Sequence, residues 1–161
     1  MKDRIIAESI ASLRQNGLRF SVDSLAENLR ISKKTVYKYF PSKEALALAI
    51  YDVYFSEAIS RAASITQSSA PSVTDLLHLY YDAKVMVRSE IFNKYRLNES
   101  IHSYVSERND ALWQTVSEAL FPADSAEEQK PIRIIVDGVF EKLCNESVTP
   151  DSVIERMKKL L

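Results

Sequence analysis

The chain has 161 residues with only two glycines, five prolines and one cysteine, and its formal net charge is −1. So little glycine leaves few positions for β-hairpin turns or phosphate-holding loops, which predicts an all-α protein and argues against the common nucleotide-binding enzymes. One cysteine excludes a disulfide within the chain, and neither a signal-peptide core nor an apolar run of membrane-spanning length is visible. We therefore expect a cytoplasmic protein without membrane contact.

Helical periodicity and capping residues predict the elements in chain order. A first helix contains the stripe Ile6, Ile10 and Leu13 and stops at Gly17. Ser21 and Ser32 are placed to cap two short helices. The remaining predictions are a third helix ending near Phe40, a long helix at 43–65 after Pro41-Ser42, a linker at 66–72, and helices near 73–88, 90–97, 99–120, 131–145 and 150–161.

The segment before the 131–145 helix has two interpretations. Residues 121–130 form either a loop or a short helix opened by the capping pattern Ser125-x-x-Glu128. Pro131 then suits the first position of the next helix, because its missing N–H would be unpaired there in any case.

The charges are divided unevenly along the sequence. Residues 1–50 hold nine Lys and Arg against five Asp and Glu, a net charge of +4, whereas residues 51–161 hold twelve against seventeen, a net charge of −5. A basic head on an acidic body suggests that only the head meets a polyanion.

Helices two and three are joined by only Arg30-Ile31, which is typical of a helix-turn-helix. Val36 and Phe40 form the apolar stripe of the third helix and should pack on the first two. Lysines neutralise phosphates, hydroxyl groups bond phosphate oxygens, and a threonine methyl can meet a thymine methyl. The candidate DNA-contacting residues are Lys33, Lys34, Thr35, Tyr37, Lys38 and Tyr39, together with Lys43 at the start of the fourth helix, where the helix end favours an anion.

The run LAENLRISKKTVYKYFPSKEAL, residues 25–46, resembles the signature of the TetR (tetracycline repressor) family of transcriptional regulators. The matching blocks are Leu25-Ala26, Ile31-Ser32, Val36 to Phe40 and Ser42 to Leu46, with Gly17 and Phe20-Ser21-Val22 upstream. The resemblance covers residues 5–50. The chain departs from the family at Arg30-Ile31, where Gly-Val is common, and at Lys34, where a small residue or proline is usual. Both departures add positive charge.

The resemblance implies a three-helix DNA-binding head at residues 1–45 and a helical-bundle body for ligand binding and dimerisation at residues 46–161. It also implies that Tyr37, Tyr39 and Lys43 clamp the DNA backbone, whereas Lys33, Lys34, Thr35 and Lys38 are within reach of base edges. The expected protein is a homodimeric repressor that a small-molecule effector releases from a double-stranded DNA operator. The alternative is a DNA-binding adaptor of the same fold, regulated by a protein partner.

Enzymatic activity is not expected. No nucleophile–base pair and no cluster with metal-site spacing is recognisable, so we expect no metal and no cofactor.

Two sets of body residues are candidates for further roles. An unbroken apolar stripe is expected at the dimer interface and consists of Ile132, Ile135, Val136, Val139, Phe140 and Leu143, beside Gly138. The side chains that could line an effector pocket are Tyr80, Tyr81, Met86, Phe92, Tyr104 and Trp113, although ordinary core packing is the other interpretation. No strong charge cluster is evident among them, which favours a neutral or weakly polar effector.

Overall fold

The computed structural model describes residues 1–16, 21–87, 99–143 and 149–159, and all regular structure in these ranges is helical. This confirms the all-α prediction. Gly17, Phe92 with the helix predicted near 90–97, and Cys144 lie outside the described residues. The helices are α1 (Lys2–Asn16), α2 (Val22–Leu29), α3 (Lys33–Tyr39), α4 (Lys43–Thr66), α5 (Val73–Val87), α6 (Glu99–Leu120), α7 (Ala126–Leu143) and α8 (Pro150–Met157).

Serine side chains begin four of these helices. Each Oγ accepts a hydrogen bond from the backbone N–H three residues later, which satisfies one of the donors that a helix start leaves unpaired. The N···O distances are 3.1 Å from Ser24 to Ser21, 3.1 Å from Thr35 to Ser32, 3.0 Å from Ala45 to Ser42 and 3.2 Å from Asp75 to Ser72. The caps expected at Ser21 and Ser32 are therefore confirmed.

The start of α7 decides between the two interpretations of residues 121–130. The Glu128 carboxylate accepts hydrogen bonds from the backbone N–H of Ser125 at 2.8 Å and from its hydroxyl at 2.7 Å. These two bonds hold the pKa of Glu128 below its ordinary value. The helix begins at Ala126 and runs through Pro131. The expectation that Pro131 opens the helix is wrong, because the capping box provides an earlier start and the helix continues past one missing N–H donor.

The described chain packs as two compact units. The first contains residues 1–57 and 86–108, and the second contains residues 58–85 and 109–161. The functional boundary expected at residue 45 stays a prediction. None of the described helices combines the length and apolar composition needed to cross a bilayer.

The first unit contains the three helices of the head and buries their apolar side chains. Leu25 and Val36 are fully buried and Phe40 is 3% exposed, which confirms the packing expected of Val36 and Phe40. A polar contact also joins the first two helices, since the Asn28 side-chain amide donates to the Glu8 carboxylate at 2.9 Å. This hydrogen bond joins α1 to α2, and the burial of Val36 and Phe40 anchors α3 in the same core.

Candidate nucleic-acid interface

The connection between α2 and α3 is made by a residue in the left-handed conformation. Arg30 has φ 55° and ψ 44° and is the one non-glycine residue with positive φ in the described ranges. Its backbone N–H donates to the carbonyl of Glu27 at 3.0 Å, and the N–H of Ile31 donates to the carbonyl of Ala26 at 3.0 Å. These bonds close the end of α2 and turn the chain directly into α3. A side chain in this conformation costs about 1–2 kcal/mol, which glycine would avoid.

The third helix has one buried edge and one exposed face. Val36 and Phe40 are buried at its base, and the Lys2 ammonium lies 5.8 Å from the centroid of the Phe40 ring. The exposed face carries a crevice of about 470 Å³ lined by Ser32, Lys34, Thr35, Tyr37 and Lys38. The structure thus brings four of the predicted DNA-contacting residues together on one surface, which we call the α3 crevice.

Lys33 stands apart from this group. It does not line the α3 crevice, and its ammonium forms an ion pair with the carboxylate of Asp23 in the first turn of α2. Both side chains remain more than half exposed, at 52% for Lys33 and 63% for Asp23. The role of Asp23 is not visible in the sequence, because the pairing of a residue on α2 with one ten positions later depends on how the two helices cross.

The two remaining candidates lie at the end of α3 and the start of α4. Tyr39 is 40% exposed, and Lys43 is the exposed first residue of a 24-residue helix. Unlike Lys33, the cations Lys34, Lys38 and Lys43 have no ion-pair partner among the described residues. Their charge is therefore available to a polyanion.

The match to known proteins falls on these same helices. Residues 5–50 match the profile of the bacterial regulatory proteins of the tetR family. Over these residues the chain is similar to the TetR family. The matched segment contains most of α1, all of α2 and α3, and the first turns of α4. The three-helix head is therefore the family's N-terminal helix-turn-helix, and the resemblance seen in the sequence is confirmed.

Two relatives that are similar to part of this chain are named as HTH-type transcriptional regulators. The chain is 37% identical over 57 residues to the uncharacterized HTH-type transcriptional regulator YvaF of Bacillus subtilis (strain 168), covering 35% of this chain and 30% of that protein. It is also 37% identical over 73 residues to the uncharacterized HTH-type transcriptional regulator YuxN of the same organism, covering 44% of this chain and 25% of that protein. The chain thus matches less than a third of the length of either relative. No solved structure matches this chain.

The aromatic pocket candidates of the second unit form a tight cluster. Tyr80 is fully buried and Trp113 is 5% exposed, and their ring centroids are 5.1 Å apart. Phe140 lies 5.9 Å from Tyr80 and 5.2 Å from Tyr81 by ring centroids. The Tyr80 hydroxyl donates to Asp137 at 2.8 Å.

A charge cluster that the sequence analysis did not reveal adjoins these rings. Lys84 contacts Asp137 at 2.9 Å, and Arg133 contacts Asp110 at 2.5 Å and Asp137 at 3.7 Å. The Arg133 guanidinium also lies 5.9 Å from the centroid of the Trp113 ring. Two cations and two carboxylates from three helices thus neutralise one another.

Two further pocket candidates belong to the first unit. The backbone carbonyl of Met86 accepts a hydrogen bond from Tyr51 at 3.5 Å, and the hydroxyl of Tyr104 donates to Asp52 at 2.6 Å. Partial burial and the neighbouring carboxylate raise the pKa of Tyr104. The six candidates are therefore divided between the units, with Phe92 outside the described residues, and their role in a pocket stays a prediction.

The structure also divides the predicted dimer stripe. Val136 and Phe140 are fully buried within the chain, and Leu143 is 7% exposed, so these three side chains build the core of the second unit. Ile135 is 62% exposed and its neighbour Ile134 is 73% exposed. Ile132 and Val139 are half-buried. The residues available to a partner are thus Ile132, Ile134, Ile135 and Val139.

Proposed function

We propose that this chain is a sequence-specific DNA-binding transcriptional regulator that places α3 in the major groove of its operator. The α3 crevice is the observation that carries the proposal. A helix anchored by Val36 and Phe40 presents two lysines, a threonine and a tyrosine on one face. The major groove admits a helix of this kind, and these side chains suit its edges and the flanking phosphates.

The residues divide into two roles in this docking. Lys34, Thr35 and Lys38 read base edges from the α3 crevice. Tyr37 and Tyr39 hold the flanking phosphates through their hydroxyl groups. Lys43 holds another phosphate, with support from the backbone N–H groups at the start of α4.

The regulator acts as a homodimer, because one helix-turn-helix reads few base pairs and paired heads read two half-sites. Two observations on α7 support this. Ile134 and Ile135 are the two most exposed large hydrophobic side chains among the described residues, at 73% and 62%. A Cβ added at Gly138 would meet nothing within 4 Å, so this part of the helix surface is open for close approach by a second copy.

Release by a small molecule is the form of regulation that the second unit supports. The Oδ1 atom of Asn109 is buried and has no hydrogen-bond partner among the described residues, although buried polar atoms are normally paired. Asn109 lies one helical turn before Trp113. A guest beside this face of α6 would gain a hydrogen bond and an aromatic contact. Since the nearby charge cluster is internally neutralised, a neutral or weakly polar guest fits best.

A second function is supported by the same exposed isoleucines. If the apolar surface of Ile134 and Ile135 is covered by another protein rather than by a second copy, the chain is a DNA-binding adaptor regulated by that protein. Neither function includes catalysis. In both, the protein binds its DNA operator in the cytoplasm.

The central test is selection of duplexes from a random-sequence pool by the purified chain, followed by titration of the selected duplex and of a scrambled duplex. The expected result is a consensus with two related half-sites and an affinity for it at least 1,000-fold above that for the scrambled sequence, in the range typical of specific binding. An affinity that is equal for both duplexes would contradict the proposal. Light scattering at micromolar concentration separates the homodimer from a monomeric adaptor.

A further inference from the structure

The ion pair between Asp23 and Lys33 changes what the DNA-facing surface offers to a polyanion. Lys33, Lys34, Lys38 and Lys43 follow one another along α3 and the start of α4, yet only Lys33 has a carboxylate partner among the described residues. The pair carries no net charge. One of the four lysines is therefore balanced by the protein itself before any phosphate approaches.

The position of Asp23 at the start of α2 favours its ion pair with Lys33. Asp23 is the second residue of α2, where the positive end of the helix dipole stabilises a carboxylate. The start of α2 is capped by Ser21, which fixes the backbone at that point. Lys33 is the first residue of α3, whose start is fixed by the cap at Ser32. Two capped helix ends thus hold the charged side chains within reach of each other.

We infer that Asp23 is a positioning residue that withholds Lys33 from the DNA backbone and so lowers affinity for DNA of any sequence. The inference rests on the proposed function. A phosphate contact releases a counterion, and each contact steepens the salt dependence of binding by about 0.9 in a plot of log affinity against log salt. A lysine that keeps its carboxylate partner displaces no counterion from the phosphates, so Lys33 adds affinity and salt dependence only when Asp23 is removed.

The pairing of Asp23 with Lys33 changes the balance between phosphate contacts and base-edge contacts. The base-edge contacts proposed for Lys34, Thr35 and Lys38 do not involve Asp23, whose partner lies outside the α3 crevice. Asp23 therefore reduces the sequence-independent part of the binding energy and leaves sequence discrimination unchanged.

The test is a double-mutant cycle on the full chain, titrated at several salt concentrations against a 30-base-pair duplex of scrambled sequence. Asp23→Asn should raise affinity about two- to five-fold, the range of an exposed ion pair. It should also steepen the salt slope by about 0.9 for each bound head. Lys33→Ala alone removes no phosphate contact, so the slope should change little, and any loss of affinity should come from repulsion between the unpaired Asp23 carboxylate and the DNA. In the Asp23→Asn background, Lys33→Ala should restore the slope of the unmodified chain.

Two controls separate this effect from general charge and from folding. Asp75→Asn removes the same charge from the exposed first turn of α5, and it should leave the slope unchanged. Asp23→Glu keeps the partner charge and should keep the shallow slope. Thermal melts of all variants show whether the head is folded.

Three results would overturn the inference. In the first, Lys33→Ala alone lowers the slope by about 0.9 and Asp23→Asn leaves it unchanged, which means that Lys33 already contacts phosphate. In the second, the unmodified chain binds no DNA at low salt, in which case the proposed function itself fails. A chain that binds DNA with equal slopes for all four members of the cycle contradicts the inference and leaves the proposed function intact.

Discussion

Tyr80 of α5 donates its hydroxyl hydrogen to Asp137 of α7 across 2.8 Å, and the tyrosine is fully buried. Tyr104 makes a similar bond to Asp52, at 2.6 Å, in an exposed setting. A hydrogen bond to a charged group contributes about 1.5–3 kcal/mol when it is shielded from water, and less when water can replace it. The two tyrosines therefore form a matched pair for measurement.

Tyr80→Phe should lower the free energy of unfolding by about 1.5 kcal/mol, because Asp137 loses a buried donor while keeping Lys84. Tyr104→Phe should cost less than about 1 kcal/mol. Urea unfolding at neutral pH measures both variants. Equal losses for the two would mean that burial of Tyr80 does not strengthen its hydrogen bond.

Alkaline pH should destabilise the chain partly through the same residue. Burial first, and then the charge of Asp137, raise the pKa of Tyr80 above its ordinary value of 10.0. Because the folded-state pKa is the higher one, the full contribution is present below pH 10.0 and declines as the pH rises above it. Unfolding free energies of the unmodified chain and of Tyr80→Phe, measured from pH 8 to pH 11, should converge at the alkaline end. A constant difference would contradict this assignment.

The turn of the helix-turn-helix contains strain that one substitution can relieve. Arg30→Gly should raise the free energy of unfolding by about 1 kcal/mol, because glycine adopts the φ of 55° without the steric cost. Arg30→Ala is the control and should give no gain, since alanine keeps the Cβ. Denaturant midpoints distinguish the three chains. A gain with alanine equal to that with glycine would show that the arginine charge, rather than the backbone, is responsible.

Local signals account for the parts of the fold that the sequence predicted. Ser21 and Ser32 cap the helices that their own neighbours form, and Val36 and Phe40 are buried as their spacing predicts. Pro131 was placed wrongly because two start signals stood close together, and the box at Ser125 was the stronger one. Such competition cannot be resolved from residue types alone.

Contacts between helices account for what the sequence analysis missed. The cluster around Arg133 draws Asp110 and Lys84 from two other helices, and no periodic pattern links these positions. Asp23 lies within the region of family resemblance, but its contact with Lys33 follows from the crossing of α2 and α3. The predicted dimer stripe is not one continuous surface, because the helix turns Val136 into the core and leaves Ile135 exposed.

Gly138 offers a test of dimerisation in which the single chain and the dimer should respond in opposite ways. A Cβ at this position meets nothing within 4 Å, so Gly138→Ala should stabilise the single chain by about 0.5–1 kcal/mol through helix propensity. If a second copy approaches closely here, the same methyl group weakens the dimer. Sedimentation across a concentration series and melts at low concentration measure the two effects.

Ile135→Ala is the companion variant, because its side chain is 62% exposed and its loss should weaken the dimer at little cost to the single chain. An unchanged dimer dissociation constant in both variants would place the interface elsewhere.

Lys43 and Lys38 should make different kinds of contact with DNA, the first to a phosphate and the second to base edges. Lys43→Ala should weaken binding to the selected and the scrambled duplex alike and reduce the salt slope by about one unit for each half-site, because a phosphate contact is independent of sequence. Lys38→Ala, in the α3 crevice, should cost about 1–3 kcal/mol on the selected duplex and relax preference at one or two positions.

Val36→Asp is the control for unfolding, because it buries an unpaired charge at a position with no exposed surface. This variant should lose binding and thermal stability together, whereas Lys43→Ala and Lys38→Ala should melt within a few degrees of the unmodified chain. A Lys43→Ala chain with unchanged affinity and salt slope would show that the start of α4 does not contact the backbone. The contacts with DNA would then be limited to the residues of α3 and its crevice.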